Sequence, residues 1–234
     1  MIMSNPRSSQ HPAPKGFSLV EMLTVIAIIG ILGVLAANSM SGLLGTYDLS
    51  SAGQAVMDEL SLARQMAITE NRVVEFQIYK LKTGTLDSPE YCAMALVKSE
   101  PLPDGSGSRK VFLRKVSFLP TRVIFDSSAT FSSLLLGQAD EANPLPFAST
   151  VPAGDAPTAL QGQPSLSFRF RPDGSLDLEA SDAAAADPAT RRRHWTLTLR
   201  GYRSTPESGS SLPAKNFITI TLDPLTGKAV VFQP

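Results

Sequence analysis

Few residue types in this chain could support catalysis or metal binding. Cys92 is the only cysteine among the 234 residues, which excludes an internal disulfide and a cysteine-based zinc cluster. His11 and His194 are the only histidines, too few for a histidine-based metal site or proton relay. The motifs G-x-S-x-G, H-E-x-x-H, C-x-x-C and G-x-x-x-x-G-K-[ST] do not occur in the sequence. We therefore expect a non-enzymatic protein without metal or cofactor, in which Cys92 is a half-buried apolar residue of a strand.

The charges indicate neither a general nucleic-acid binder nor a membrane-surface binder. With 21 basic and 21 acidic residues the chain has no net charge, so either role requires a local patch. One such patch is the run Arg191, Arg192 and Arg193, which precedes His194 and Trp195. Three guanidinium groups beside an indole ring suit contact with DNA phosphates or an acidic partner. The alternative is a solvated loop that leads into a strand.

The amino terminus combines an acid-free segment with a long apolar run. Residues 1–16 contain basic residues and prolines but no acidic residue, which indicates an unstructured, positively charged cytoplasmic leader. Residues 17–37 are apolar except for Ser18, Glu21 and Thr24. Their length suits a helix that crosses a bilayer core about 30 Å thick. We therefore predict a leader followed by a transmembrane helix over residues 17–38.

Glu21 is the one ionisable residue of this apolar run. An acidic side chain at mid-membrane costs roughly 2.5 to 3.5 kcal/mol, whereas each Leu, Ile, Val or Phe contributes about −0.3 to −0.6 kcal/mol. The sum favours insertion, yet an ionisable residue in such a segment requires a partner. The alternative is that Glu21 only complements the positive end of the helix dipole, worth roughly 0.3 to 1 kcal/mol.

The segment KGFSLVEMLTVIAIIGIL carries a family resemblance. Over residues 15–38 the chain resembles the class III signal of type IV pilins and type II secretion pseudopilins. The resemblance implies that a prepilin peptidase cuts between Gly16 and Phe17 and methylates the new amino terminus. Glu21 then takes the position of the family's glutamate, the fifth residue of the mature chain. The implied protein is a non-enzymatic subunit of a type II secretion pseudopilus or a type IV pilus.

The same resemblance implies a location and a set of partners. Before assembly the subunit is a single-pass protein of the inner membrane, with the leader in the cytoplasm and the C-terminal domain in the periplasm. Its partners are the prepilin peptidase, other pilin-like subunits contacted through the N-terminal helix and, indirectly, an assembly ATPase. Cleavage would create an ammonium group at Phe17, on the helical face of Glu21. In a low-dielectric filament core this ammonium and a neighbouring subunit's carboxylate could neutralise each other, a pairing that the residues permit and the resemblance implies.

An ordinary secretory signal peptide is an alternative for the same segment. Val34, Leu35 and Ala36 would form its small-residue cleavage site and a soluble exported protein would result. The glutamate within the apolar region and the length of that region both fit this alternative poorly. A lipoprotein is excluded because no cysteine directly follows the apolar run.

Beyond the apolar run the sequence predicts a continued helix and then strands. Apolar residues recur at spacings of three and four at Leu49, Ala52, Val56, Leu60, Ala63 and Ala67. We therefore predict helix over residues 17–70, in which residues 39–70 are an amphipathic continuation that could bend at Gly42 or Gly45. After Asn71 the apolar period changes to two, as in a strand with one buried face.

Residues 71–234 are predicted to form a globular, mostly antiparallel β domain, so the fold class is α+β. The further predicted strands are 91–98, 110–118, 122–125, 166–170, 176–178, 195–200, 217–222 and 229–232. Turn signals at 171–174 and 223–228 predict hairpins. Proline-rich residues 139–164 and residues 179–194 are predicted to be surface loops.

A second resemblance lies in the predicted domain. The run LSLARQMAITENRVV (residues 60–74) and the two predicted turns resemble H-type, or FimT-like, minor pseudopilins. This implies a pilin-like fold, a long N-terminal hydrophobic helix packed on two small antiparallel sheets. Residues 53–80 also resemble the Verru_Chthon cassette protein D group, which adds no function. Because some FimT-like proteins capture DNA, a DNA-capturing minor pilin is the alternative function.

Overall fold

The computed structural model describes residues 16–84, 86–103, 108–128, 130–135, 147–150, 157–178, 195–204 and 216–234, without the side chains of 34–44, 108 and 147–150. The chain divides into two compact units, with the boundary between Leu43 and Leu44. Predicted features within residues 1–15, 136–146, 151–156, 179–194 and 205–215 lie outside the described residues.

Helix α1 runs from Leu19 to Thr69, close to the predicted bounds, and is continuous through Gly42 and Gly45. It ends because Asn71 adopts a left-handed conformation with a φ of 50°, which asparagine tolerates better than most residues. The amide of Arg72 donates to the carbonyl of Ala67 at 3.1 Å and that of Asn71 to Ile68 at 3.3 Å. These two bonds form a Schellman motif, which satisfies the last carbonyl groups of the helix.

The strands of the described residues form two antiparallel sheets. The first sheet contains β1 (Val74–Leu81), β2 (Glu90–Pro101), β3 (Ser108–Phe112), β4 (Ser117–Phe118), β6 (Phe147–Thr150) and β7 (Pro164–Phe170). The second contains β5 (Val123–Phe125), β8 (Trp195–Gly201), β9 (Phe217–Leu222) and β10 (Ala229–Phe232). The strand order is β3-β2-β1-β7-β6 in the first sheet, where β4 also pairs with β2, and β10-β9-β8-β5 in the second.

The main core lies between the two sheets and the part of α1 from Leu49 to Ala67, which we call the packed segment. The six apolar residues of the predicted stripe are at most 2% exposed. They share one hydrophobic cluster with residues of both sheets, including Phe76, Phe168 and Ile220. The predicted α+β architecture of a helix packed on antiparallel sheets is therefore confirmed.

Glycine permits two close approaches in this domain. A Cβ atom at Gly53 of α1 would lie 2.9 Å from Cδ1 of Ile218, so a larger residue would force the Ile218 side chain of the second sheet to shift. Gly227, with a φ of 62°, lies in the turn between β9 and β10, and a Cβ atom there would lie 2.0 Å from the carbonyl oxygen of Gly174. Only glycine allows the two predicted turns to touch.

Arg64 of α1 joins the same two turns. Its Nε atom donates to the carbonyl of Gly174 at 3.3 Å and to that of Thr226 at 2.9 Å. We call this arrangement the Arg64 clasp. It ties the packed segment to the turn after β7 and to the hairpin that joins the last two strands.

Three sequence predictions need correction. Residues 147–150 form β6 inside the predicted loop 139–164, because their pairing with β7 supplies an order that local periodicity does not show. In the same predicted loop Leu160 is only 1% exposed and packs in a second core with Tyr79 and Ala95. Cys92 is 4% exposed rather than half-buried, because it lies in that same core.

Two predicted strands also differ from the structure. The predicted strand 176–178 makes only an isolated bridge between Leu176 and Phe170. Its apolar alternation reflects burial without a ladder, since the amide of Leu176 donates to Pro224 of another turn at 2.8 Å. The predicted strand 110–118 divides into β3 and β4, which both pair with β2.

Candidate processing and assembly segment

The predicted cleavage site lies at the edge of regular structure. Gly16, Phe17 and Ser18 are not helical, and α1 begins at the next residue. Phe17 is 73% exposed, and a Cβ atom at Gly16 would meet nothing within 4 Å. A peptidase needs its substrate backbone extended and free of helical hydrogen bonds, and exposed segments of this kind are the usual sites of proteolysis. The geometry at this junction is compatible with cleavage between Gly16 and Phe17.

Glu21 lies in the first turn of α1, where it acts on the helix terminus. The backbone amide of Ser18 donates to Oε2 of Glu21 at 3.5 Å. Ser18 precedes the helix and Glu21 is its third residue, so the two have the spacing of a capping box. A carboxylate here also complements the partial positive charge of the helix N-terminus. The pattern Ser-x-x-Glu is present in the sequence, and its spacing is the signal from which this cap could have been predicted.

Thr24, the other polar residue of the run, satisfies its hydroxyl group inside the helix. Its Oγ1 atom donates to the carbonyl oxygen of Glu21 at 2.9 Å. A threonine bonded in this way places no unsatisfied donor in apolar surroundings. The Thr24 hydroxyl is therefore compatible with a medium that cannot donate or accept hydrogen bonds.

We call residues Phe17 to Gly33 the apolar segment. Apart from the polar residues described above, its side chains are mainly large and apolar. Their large apolar members are between 45% and 81% exposed, the lowest value being that of Val25 and the highest that of Leu19. They occur on every side of the helix and not on one stripe. A helix that is apolar all round is typical of a membrane or of the interior of a larger assembly. In the described residues, no helix is both long enough and apolar enough to cross a membrane.

Other predicted site residues lie outside the described residues. Arg191, Arg192, Arg193 and His194 belong to the range 179–194, so the arginine patch stays a prediction. Lys15 and the rest of the predicted leader are likewise not described. Within the described ranges, His, Cys, Asp and Glu side chains do not come together in groups of three or more that could hold a metal ion.

Comparison with known proteins adds a motif and two distant structures. Residues 13–37 match the prokaryotic N-terminal methylation motif. A search of curated proteins found no match. The minor pseudopilin EpsH from the Type 2 Secretion System of Vibrio cholerae is 12% identical, with a TM-score of 0.38, over 80% of this chain and 98% of that chain. The type IV minor pilin FimU of Pseudomonas aeruginosa is 12% identical, with a TM-score of 0.35, over 80% of this chain and 97% of that chain.

The two structural similarities are too distant to support an argument about function. The motif match is more specific, because its residues 13–37 include Gly16, Phe17 and Glu21. The chain therefore carries a prokaryotic N-terminal methylation motif across the junction and the glutamate that the sequence singles out.

Proposed function

We propose that this protein is a non-enzymatic minor subunit of a pilin-like filament, either a type II secretion pseudopilus or a type IV pilus. The observation that carries the proposal is the exposed apolar segment of α1. It lies within the matched methylation motif, directly after the predicted cleavage junction, and α1 continues from it into a folded domain. Such a chain needs an apolar medium for one end of a helix whose other end is already packed.

The apolar segment supports two successive environments. Exposed contiguous apolar surface of this size is not stable in water and marks a membrane or protein interaction site. We infer that residues 17–38 are anchored in the inner membrane before assembly, with the leader in the cytoplasm and the C-terminal domain in the periplasm. In the filament the same side chains would pack against the equivalent helices of other pilin-like subunits. An assembly ATPase would supply the energy indirectly.

Glu21 provides the polar contact for this assembly. Removal of the leader by a prepilin peptidase converts the amide nitrogen of Phe17 into an ammonium group, which remains basic after monomethylation. Glu21 accepts only a long hydrogen bond of 3.5 Å from Ser18, compared with about 2.9 to 3.0 Å for a typical N–H···O bond. Little is therefore lost when its carboxylate turns to the ammonium group of a neighbouring subunit. In a dry filament core each charge would be costly without the other.

Mass spectrometry of the mature amino terminus tests the processing step. We expect a protein that begins with N-methylated Phe17 in cells with an active prepilin peptidase. A protein that begins at Ala37 would instead support an ordinary signal peptide. Retention of the leader in such cells would contradict the proposal.

Two substitutions at Glu21 separate helix capping from charge pairing. Glu21→Gln keeps a capping-box side chain and removes the charge, whereas Glu21→Ala removes both. If the charge pairs with a neighbouring ammonium group, both variants should insert into the membrane but fail to enter sheared filaments. Asp58→Asn is the control, since Asp58 is an exposed acid of the same helix that accepts a bond from Gln54. Normal incorporation of Glu21→Gln would refute the pairing role.

A further inference from the structure

A concave site of about 360 Å³ lies on the first sheet, at the end of β1 that follows α1. Glu75 of β1, Val97 of β2 and Arg169 of β7 contribute to its lining. These side chains lie on the face opposite the main core, because their neighbours Val74, Leu96 and Phe170 belong to that core. The site is thus separate from the processing and assembly segment.

The register of the sheet assembles this site from distant parts of the chain. Glu75 lies directly opposite Val97 on one side and Arg169 on the other. Arg72 and Val73 join the lining from the connection between α1 and β1. Because the Schellman motif ends the helix at a defined point, the backbone of Arg72 lies in this connection and not in a further helical turn.

The one acidic group of the lining already has partners. Glu75 is only 5% exposed, and its Oε1 atom accepts bonds from Nε2 of Gln77 at 2.6 Å and from Nζ of Lys110 at 3.1 Å. Gln77 in turn accepts a hydrogen bond from the hydroxyl of Tyr79. Burial raises the pKa of Tyr79, so its hydroxyl stays protonated and continues to donate. Lys110 is thus an ion-pair partner of Glu75, and with two arginines, Arg72 and Arg169, and one carboxylate the lining has a positive formal charge.

The composition of the lining selects a class of ligand. Guanidinium groups bind carboxylates and phosphates in planar, paired geometry. The neighbouring Val73, Val97 and Pro101 offer apolar contact to a short aliphatic stem. Inorganic phosphate has no aliphatic stem to make this contact, whereas the carboxylate of an acidic side chain is attached to one. An aspartate or glutamate side chain meets both conditions.

We propose that this site binds the carboxylate of an acidic side chain presented by another protein. In the filament the partner would be an acidic segment of a neighbouring subunit. That identification of the partner rests on the proposed function, while the binding itself does not.

Ligand-observed saturation-transfer NMR on the full chain in detergent tests the binding. The probes are the blocked peptide acetyl-Gly-Ala-Glu-Val-Gly-amide, its Gln counterpart and inorganic phosphate. We expect weak binding of the Glu peptide and none of the Gln peptide. Arg72→Gln should weaken binding about tenfold, as expected when one charge-assisted pair is lost. Val73→Asp should abolish it. Position 73 is 44% exposed, so an aspartate side chain fits there, and its own carboxylate would occupy the site.

Arg203→Gln is the matched control, since Arg203 is an exposed arginine after β8 that is not among the lining residues. It should leave binding unchanged, and all three variants should keep the unfolding midpoint of the parent protein. Equal binding of the Glu and Gln peptides, or full binding by Arg72→Gln, would contradict the proposal that this site binds a carboxylate. Tighter binding of phosphate than of the Glu peptide would overturn the assignment to a carboxylate.

A cellular experiment tests the identity of the partner. Arg72→Gln should be processed normally at Phe17 yet enter filaments less than the parent protein. If the peptide binds in vitro and the variant enters filaments normally, the partner is not a filament subunit. An unprocessed amino terminus would defeat the proposed function while leaving peptide binding intact.

Discussion

The apolar segment and the packed segment belong to the same helix but differ in how far their apolar side chains are exposed. In the apolar segment the large apolar side chains are 45% to 81% exposed, whereas the stripe of the packed segment is at most 2% exposed. The first carries apolar residues on all sides, whereas the second has an exposed polar side, formed by Ser51, Gln54, Asp58, Ser61 and Gln65. One helix can therefore satisfy two apolar environments if its pattern changes along its length.

The comparison also concerns how each segment is held. The packed segment has the two sheets, the close approach at Gly53 and the Arg64 clasp. The apolar segment has local polar bonds at Ser18, Glu21 and Thr24. Substitutions of the same chemical type in the two segments should therefore affect different properties, namely stability of the domain in one and insertion or assembly in the other.

The largest effect should come from truncating a leucine. Leu60→Ala removes a side chain that is 1% exposed in the main core, and should lower the free energy of unfolding by about 2 to 5 kcal/mol. Leu23→Ala is the matched change at a position that is 63% exposed and should leave unfolding of the domain unchanged. Denaturant titration of the full chain in detergent measures both. Similar losses of unfolding free energy in the two variants would contradict the conclusion that only the packed segment stabilises the domain.

A smaller effect should follow from separating the two turns that the Arg64 clasp joins. Gly227→Ala should destabilise the domain by about 2 to 3 kcal/mol, since it adds left-handed strain to a collision with Gly174. Gly162→Ala is the control, because Gly162 has a φ of 72° but a Cβ atom there would meet nothing within 4 Å. It should cost only the conformational strain, about 1 to 2 kcal/mol. Equal unfolding midpoints for the two variants would show that the contact between the turns does not stabilise the domain.

A bulky residue in place of a helix glycine gives the next test. Gly53→Val should destabilise the domain by about 1 to 3 kcal/mol, because the added atoms meet Ile218 of the second sheet. Gly30→Val makes the same change where a Cβ atom would meet nothing within 4 Å. Thermal unfolding should distinguish the two variants. Destabilisation of the domain by Gly30→Val, or none by Gly53→Val, would contradict the difference in packing.

The smallest perturbation uses the native cysteine and changes no residue. Burial raises the pKa of Cys92 and keeps its thiol in the less reactive neutral form, so iodoacetamide at pH 8 should modify it only slowly in the folded protein. Unfolding should restore rapid alkylation, as followed by mass spectrometry. The control is Cys92→Ser with Ser61→Cys, which places the thiol on the exposed side of α1. Rapid alkylation of native Cys92 would show that the second core is open to solvent.

The main elements could be predicted because their signals are local. A period of three and four indicated the packed segment, a period of two indicated the first strand, and the turn sequences at 171–174 and 223–228 indicated the bends that the structure contains. The α+β class followed from these patterns. Strand β6 and the burial of Leu160 could not be predicted, since each depends on pairing or packing with residues far away in the chain.

For the candidate site, Gly16, Phe17 and Glu21 were recognisable because the segment that joins them is continuous in sequence, and the matched methylation motif covers all three. The capping contact of Ser18 with Glu21 was equally local and could have been predicted from the spacing. The processing and pairing roles of these residues stay predictions, because they depend on a peptidase and on neighbouring subunits.

The sequence by itself determined where α1 starts and stops, which of its faces are apolar and which residues make the turns, because each of these depends on dihedral preferences and spacing within a few positions. Tertiary structure alone decided that Arg64 joins two turns and that Arg72, Glu75 and Arg169 line one concave site. Their juxtaposition follows from strand register, and register depends on pairing the buried faces of strands that are distant in the chain.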